Sequence, residues 1–331
     1  MQKVLLVCHV GPTIGIGHLS RLLALASTLR KNNNVVPEFL IFGDLFKKEQ
    51  LDNFTVYTFS LNENIMKSIQ SIIEKHNHNV LVLDLYPKYC TDDLSKMFNQ
   101  FKHNNLNLIS IDSLMDYHDI LDLIWIPSFS FDVSKYSNFS DKFKFGWNSF
   151  LIQKRCKPKL WNPGYKILVL TGGSDISRIG KTLPQQIDKA FNANIEINWV
   201  KGPFACQPNL PKKPRLNWII HNSPDYLDEL IVQSDYAMTV YGVSFFEVLQ
   251  YGIPAVVFSS DGFKDTLELE ALSEQNVATV ADSPTDGVKG LVELMKNDKL
   301  ARKYSSNALN KMSINGAQNL SNEIYSLIGL K

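Results

Sequence analysis

Short apolar runs alternate with amphipathic stretches along this chain, and the alternation lapses once before starting again. Lys3–Val7 reads as a buried strand, followed by a helix over Gly17–Lys31. Val35–Phe42 is the next strand, a helix near Asn62–His76 leads to the strand Val80–Asp84, and another helix begins near Thr91. Strands at Leu106–Ile111 and Leu121–Ile126 close the half. From Pro127 to Tyr165 the pattern gives way to Ser, Asn and aromatic residues, the basic piece Lys154–Lys159 and Trp161-Asn162-Pro163-Gly164. It resumes with strands at Lys166–Leu170, Ile195–Val200, Leu216–Ile220, Tyr236–Val240 and Ala255–Phe258. Helices are expected near Arg178–Phe191, after Ser223-Pro224 and from Ser244, and the C-terminal stretch reads as wholly helical. Continuous apolar strands separated by helices imply parallel sheets covered on both faces. The expectation is an α/β chain of two Rossmann-like, doubly wound domains, 1–150 and 166–331, joined by a linker at 151–165. Ligands of such sheets bind outside the carboxyl ends of the strands, so a cleft between facing halves is the expected site.

The length of 331 residues suits two cores better than one. A net charge of +1 excludes a dedicated nucleic-acid binder. The cysteines Cys8, Cys90, Cys156 and Cys206 are scattered, with no CxxC pair and no histidine at ligand spacing, so neither a zinc site nor a disulfide framework is suggested. The N-terminal apolar run is too short for a signal peptide, and no stretch approaches the roughly 18 apolar residues of a membrane helix. A cytoplasmic location is expected, with peripheral contact to a membrane surface left open. The oligomeric state cannot be read.

Four motifs fall at strand ends. Between the first strand and helix lies Gly15-Ile16-Gly17-His18, continuing to Arg21. Glycines let the backbone approach a ligand, and Arg21 replaces the third glycine of the dinucleotide fingerprint. His18 stands at a helix start, whose dipole favours the neutral imidazole that a general base needs; the plain alternative is a residue that merely caps the helix. Asp84-Leu85-Tyr86 ends another strand and would project toward His18, the plain alternative being a turn aspartate and a packed tyrosine. Gly172-Gly173-Ser174-Asp175 opens the second half as a phosphate nest or an ordinary tight turn. In the fourth, Gly242-Val243-Ser244 turns a strand into a helix and offers amides to a diphosphate. Glu247, one turn on, can accept two ribose hydroxyls or simply complement the helix dipole. His76, His78, His103 and His118 read as surface residues, and the lysines of the basic loops as solvated.

These pieces in this order resemble enzymes of the glycosyltransferase-B (GT-B) fold, nearest to the UDP-sugar hydrolase of pseudaminic acid biosynthesis and its glycosyltransferase relatives. That family's G-x-G-H-x-x-R-x-x-x-L-A signature is similar to Gly15, Gly17, His18, Arg21, Leu25 and Ala26, and implies that His18 is catalytic. Its D-x-Y segment looks like Asp84–Tyr86, which implies Tyr86 in the sugar site. Its G-G-S-D turn resembles Gly172–Asp175. Its last pattern resembles Asp235, Gly242, Glu247, Gly252 and Pro254, with the glutamate on the ribose. The chain departs from the hydrolase at Cys8–Thr13, where that enzyme has R-x-D-x-S, and at Phe258–Phe263, where it has Asn-Gln.

The first expectation is a glycosyltransferase taking a UDP-linked or other nucleotide-sugar in surface-polysaccharide or glycoconjugate assembly. Its acceptor would be a small molecule, a glycan or a lipid-linked compound, with the aromatic segment Phe129–Phe150 as an acceptor surface. His18 and Tyr86 would be catalytic. Gly172, Gly173, Ser174, His221, Gly242, Val243, Ser244 and Glu247 would hold the nucleotide, its base near the loop at His221-Asn222. Gly17, Arg21, Asp84 and Asp261 would contact sugar or acceptor. No cofactor and no metal are expected, since helix-end amides can carry the departing charge. The hydrolase is the alternative, and a nucleotide-sugar-binding protein without turnover is the third.

Overall fold

A computed structural model describes residues 1–330 apart from 47, 91–93, 193 and 260–265. The chain forms two compact units, one of Met1–Ile152 completed by the stretch from Ile314 onward, the other of Gln153–Ser313.

In the first unit β1 (Gln2–Val10) leads through α1 (Gly17–Leu29) to β2 (Val35–Gly43) and β3 (Thr55–Phe59). Then come α2 (Ile65–His76), β4 (Val80–Asp84), α3 (Leu94–His103), β5 (Asn107–Ile111), β6 (Leu123–Trp125) and β7 (Phe143–Lys144). The seven strands are parallel in the order β3-β2-β1-β4-β5-β6-β7. Val4–Val7 and Val80–Leu83 are fully buried, as central strands covered on both faces must be. Leu19, Leu22, Leu23 and Ala26 are buried along α1. Asn64 caps α2 by accepting the Lys67 N–H at 2.8 Å, and Asn77 ends that helix in the left-handed region. After β3 the chain crosses back over β1 to lay down β4, so strand order reverses between β1 and β4. Loops leaving these two strands diverge at their carboxyl ends.

The second unit repeats the scheme. β8 (Lys166–Leu170), α4 (Leu183–Ala190), β9 (Glu196–Lys201), β10 (Asn217–Asn222), α5 (Asp228–Gln233) and β11 (Tyr236–Val240) come first. They are followed by α6 (Val243–Leu249), β12 (Ala255–Phe258), α7 (Thr266–Glu274), β13 (Thr279–Ala281), α8 (Pro284–Met295) and α9 (Asp298–Lys311). Its parallel sheet has the order β10-β9-β8-β11-β12-β13, reversing between β8 and β11. The last helix, α10 (Gly316–Leu327), belongs to the first unit.

Several expectations are corrected. The stretch 166–331 is not one domain, because α10 packs on α1, with Ala317, Leu320 and Ile324 buried and the Tyr325 hydroxyl donating to the Leu29 carbonyl at 3.3 Å. Residues from Gln153 through the expected linker pack with the second unit: the Arg155 and Cys156 amides donate to the Tyr251 hydroxyl, and the Trp161 indole donates to the Asp235 carbonyl at 2.6 Å. The helix expected at Ser223-Pro224 begins at Asp228, since Ser223 adopts a left-handed φ of 42°. The helix expected from Arg178 likewise starts only at Leu183, after left-handed Arg178 and a single 3-10 turn. Strands β3, β7 and β13, which the pattern does not reveal, lie outside the fully buried centres of the sheets. The helix start near Thr91 lies outside the described residues. Among the described residues no helix is long and apolar enough to cross a membrane.

Candidate active site

At the reversal point of the first sheet, β1 runs through a tight loop into α1. Gly11 and Gly15 bridge each other across it, and Gly15 takes φ 87°, a value that suits glycine. Gly17 then opens α1 with His18 and Arg21 on its first turns, while β4 ends on Asp84. These side chains meet. His18 Nδ1 lies 2.6 Å from Asp84 Oδ1, and Arg21 clasps the same carboxylate, Nε to Oδ2 at 3.0 Å and Nη2 to Oδ1 at 2.7 Å. Arg21 Nη1 donates to Asp112 Oδ2 at 2.6 Å, one residue beyond β5. The Tyr86 ring stands edge-on to the His18 ring, centroids 6.2 Å apart.

Asp84 is fully buried, which raises its carboxyl; the Arg21 and His18 charges and hydrogen bonds outweigh that and hold it below its ordinary value. With Asp84 ionised, His18 Nδ1 carries the proton and donates it to Oδ1. Arg21 Nη2, 3.1 Å from Nδ1, shares that oxygen with the imidazole. Nε2 of His18 is then the basic nitrogen, on a side chain that keeps 17% of its surface in solvent. The helix start alone therefore does not orient the ring; a buried carboxylate does. Arg21 and Asp84, expected as sugar or acceptor contacts, are both buried and pair with each other and with His18.

Sequence reasoning missed two members of this group. Asp112 lies outside every motif, and only its left-handed φ of 59° marks it, which cannot be read from residue types. His9, on β1, is fully buried and accepts the Tyr86 N–H at Nδ1, 2.9 Å away, while its Nε2 has no partner. Burial pushes its pKa down to about 4, with the His18 charge adding to the fall and Asp84 opposing it.

At the reversal point of the second sheet, Gly172–Ser174 leaves β8 and Tyr241–Ser244 leaves β11. A Cβ on Gly172 would touch Val240 at 3.7 Å, so the two turns are neighbours. Gly202, after β9, crosses so closely that a Cβ there would lie 2.4 Å from the Gly173 carbonyl. Gly242 has φ 145° and ψ −166°, nearly restricted to glycine, and its missing Cβ would meet nothing within 4 Å. The Ser174 hydroxyl is buried without a partner. Val243, Ser244 and Glu247 are half-buried on the following turns. The Phe245 N–H bonds the Gly242 carbonyl at 3.0 Å and is not free for a ligand.

Other residues of the motifs support the frame. Asp175 accepts the Ile179 and Gly180 amides, both at 2.9 Å. Asp235 sits at the amino end of β11, accepts the Lys166 N–H at 2.9 Å and packs where Gly164 leaves room. Gly252, φ 68°, lies against Leu309. His221 is not on a loop: it lies within β10 and pairs Nε2 with Asn198 Oδ1 at 2.8 Å, and burial lowers its pKa. His78, expected at the surface, is buried against Glu38 Oε2 at 3.2 Å. Asp261 lies outside the described residues. Among the described residues no group of three His, Cys, Asp or Glu is placed to hold a metal ion.

Two parallel α/β units with these strand orders and these strand-end loops define the GT-B class of fold, and solved structures match it over the whole chain. MurG of Acinetobacter baumannii superposes with a TM-score of 0.64 at 13% identity, covering 98% of this chain and 100% of that one. The calicheamicin glycosyltransferase CalG4 gives 0.65 at 12%, covering 99% and 98%. The UDP-GlcNAc 2-epimerase from Neisseria meningitidis bound to UDP-GlcNAc gives 0.59 at 14%, covering 99% of each. In sequence, an uncharacterized protein of Methanocaldococcus jannaschii is 28% identical over 282 residues. That alignment takes in 77% of this chain, and the chain spans 55% of the relative's length. No family model matches. The likenesses carry the fold and do not single out the pseudaminic acid hydrolase.

Proposed function

We propose that this chain is a nucleotide-sugar enzyme, a glycosyltransferase with a UDP-linked donor in surface-polysaccharide or glycoconjugate assembly, and that His18 is its general base. The observation that carries the reading is the 2.6 Å pair of His18 Nδ1 with the buried carboxylate Asp84, itself clasped by Arg21. A carboxylate on Nδ1 fixes the tautomer and stabilises the imidazolium that forms when Nε2 takes a proton. In the proposed step, Nε2 removes the proton of an acceptor hydroxyl as its oxygen attacks the anomeric carbon. The bond from that carbon to the diphosphate oxygen breaks, and UDP leaves with the electron pair. The departing charge falls on the turns at Gly172–Ser174 and Gly242–Ser244, with Glu247 on the ribose. The neighbours lend this reading some support: UDP-GlcNAc is bound in one, and a glycosyltransferase is named in another.

The test has two parts. Thermal melts with UDP, CMP, GDP and dTDP should show the largest rise with UDP. Donor turnover should then need an acceptor and fall by about 100-fold or more in His18→Ala, the range of a lost general base. Release of free sugar at full rate without acceptor would make water the acceptor and the hydrolase the right reading. Turnover indifferent to His18 would end the catalytic proposal.

A further inference from the structure

Oδ1 of Asp84 serves two donors, His18 Nδ1 at 2.6 Å and Arg21 Nη2 at 2.7 Å, and these nitrogens are only 3.1 Å apart. A guanidinium free to turn about that carboxylate would crowd the imidazole off its oxygen. The opposite side of Arg21 is held: Nη1 donates to Asp112 Oδ2 at 2.6 Å, and the Asp112 amide is anchored to the Trp125 carbonyl at 2.9 Å. Asp112 also adopts a left-handed backbone, φ 59°, with Leu114 at φ 62° two residues on. Such conformations cost about 1 kcal/mol or more and persist where the surroundings demand them. With the imidazole neutral, two carboxylates face one guanidinium, so the group is one positive charge short until His18 takes a proton.

We infer that Asp112 is a positioning residue of the His18 centre, acting through Arg21 to keep Asp84 Oδ1 open to the imidazole; this rests on His18 being the base and deepens that reading. Asp112 meets Arg21, and it is Arg21 that meets the carboxylate shared with His18. Its effect is to fix the guanidinium plane so that the carboxylate is shared rather than captured.

The experiment uses the full chain, with Asp112→Asn, which tolerates left-handed backbone, and Asp112→Gly, which relieves it. The His18 Nδ1 proton, hydrogen-bonded to a carboxylate, should give a low-field proton resonance, identified by its loss in His18→Gln. Its exchange with water should quicken by about tenfold in Asp112→Asn and further in Asp112→Gly, while both variants melt no lower than about 3 °C below the parent. Turnover should show the same order, with kcat down by about tenfold and KM within about twofold, the pattern of a misplaced catalytic group. Unchanged exchange and unchanged kcat in both variants would overturn the inference whatever His18→Ala does. Should His18→Ala leave turnover intact, the general-base reading fails, and the exchange rates alone still decide what Asp112 does to the imidazole.

Discussion

Buried charge is tolerated near the end of β1 only because it is matched, and two residues there show what mismatch would cost. Asp84 and Arg21 are both buried. Asp84→Asn would leave the guanidinium only the half-exposed Asp112 as an ionised partner. Urea unfolding should show a loss of up to about 3–5 kcal/mol, that of a broken buried pair, since the buried side of Arg21 loses its charge match. His9 supplies a pH dependence with a definite sign. Its folded pKa, about 4, lies below the ordinary 6.5, so the folded state binds fewer protons than the unfolded chain between those values. The stability this residue contributes is therefore complete above about pH 6.5 and is lost as pH falls toward 4, up to about 3 kcal/mol in all. Protonation would also turn Nδ1 into a donor facing the Tyr86 N–H. Unfolding midpoints between pH 7 and pH 4 should fall more steeply for the parent than for His9→Gln. Equal slopes would refute the assignment. None of this is visible in the sequence, where His9 is one polar residue in an apolar strand and its depth depends on which strands flank it.

At the level of elements, the central strands were legible because burial on both faces leaves a continuous apolar run; Tyr236–Val240 and Ala255–Phe258 have the bounds their composition implies. The edge strands of the first sheet carry no such run: Thr55 and Thr58 of β3 face solvent, and β7 has two residues. Helix starts were displaced wherever a left-handed residue intervened, as at Arg178 and Ser223, because side-chain type only weakly reports φ. The motif of Gly15, Gly17, His18 and Arg21 falls at the carboxyl end of β1 and Asp84 meets it there, since strand ends come together where strand order reverses. Asp112 needed the tertiary structure. The glycines of the second sheet separate by the same logic. Gly202→Ala would drive a methyl into the Gly173 carbonyl and displace the turn after β8, whereas Gly242→Ala meets open space and strains only its own backbone. If the turn holds a diphosphate, Gly202→Ala should lose most of the UDP-induced rise in melting temperature even where the apo protein still folds. A full rise in that variant would move the nucleotide elsewhere.

The path of the whole chain makes the two units unequal in their independence. The second is one continuous stretch, Gln153–Ser313, with its own apolar centre around Trp199, Tyr236, Met238 and Phe258. The first is interrupted and is finished only when α10 returns to α1. That return is closely packed: a Cβ on Gly316 would lie 2.4 Å from the Phe150 carbonyl, Asn319 donates to the Asn148 carbonyl at 3.1 Å, and Leu320 and Ile324 are fully buried. Truncating one such leucine to alanine costs about 2–5 kcal/mol, and most domains have only about 5–15 kcal/mol to lose. A fragment of residues 153–313 should therefore fold cooperatively by itself and, on the nucleotide assignment proposed for it, keep the UDP-induced thermal shift. Residues 1–152 alone should show a weak or absent unfolding transition, because α1 would expose the apolar face that α10 covers. Supplying residues 314–331 behind a flexible linker should restore that transition, and Leu320→Ala in the full chain should lower it by about 2–5 kcal/mol without moving the UDP-sensitive one. Circular dichroism and calorimetry on these four proteins decide the matter. A stable, cooperative 1–152 fragment would mean that α10 is an accessory, and that the break in the first unit carries no thermodynamic weight.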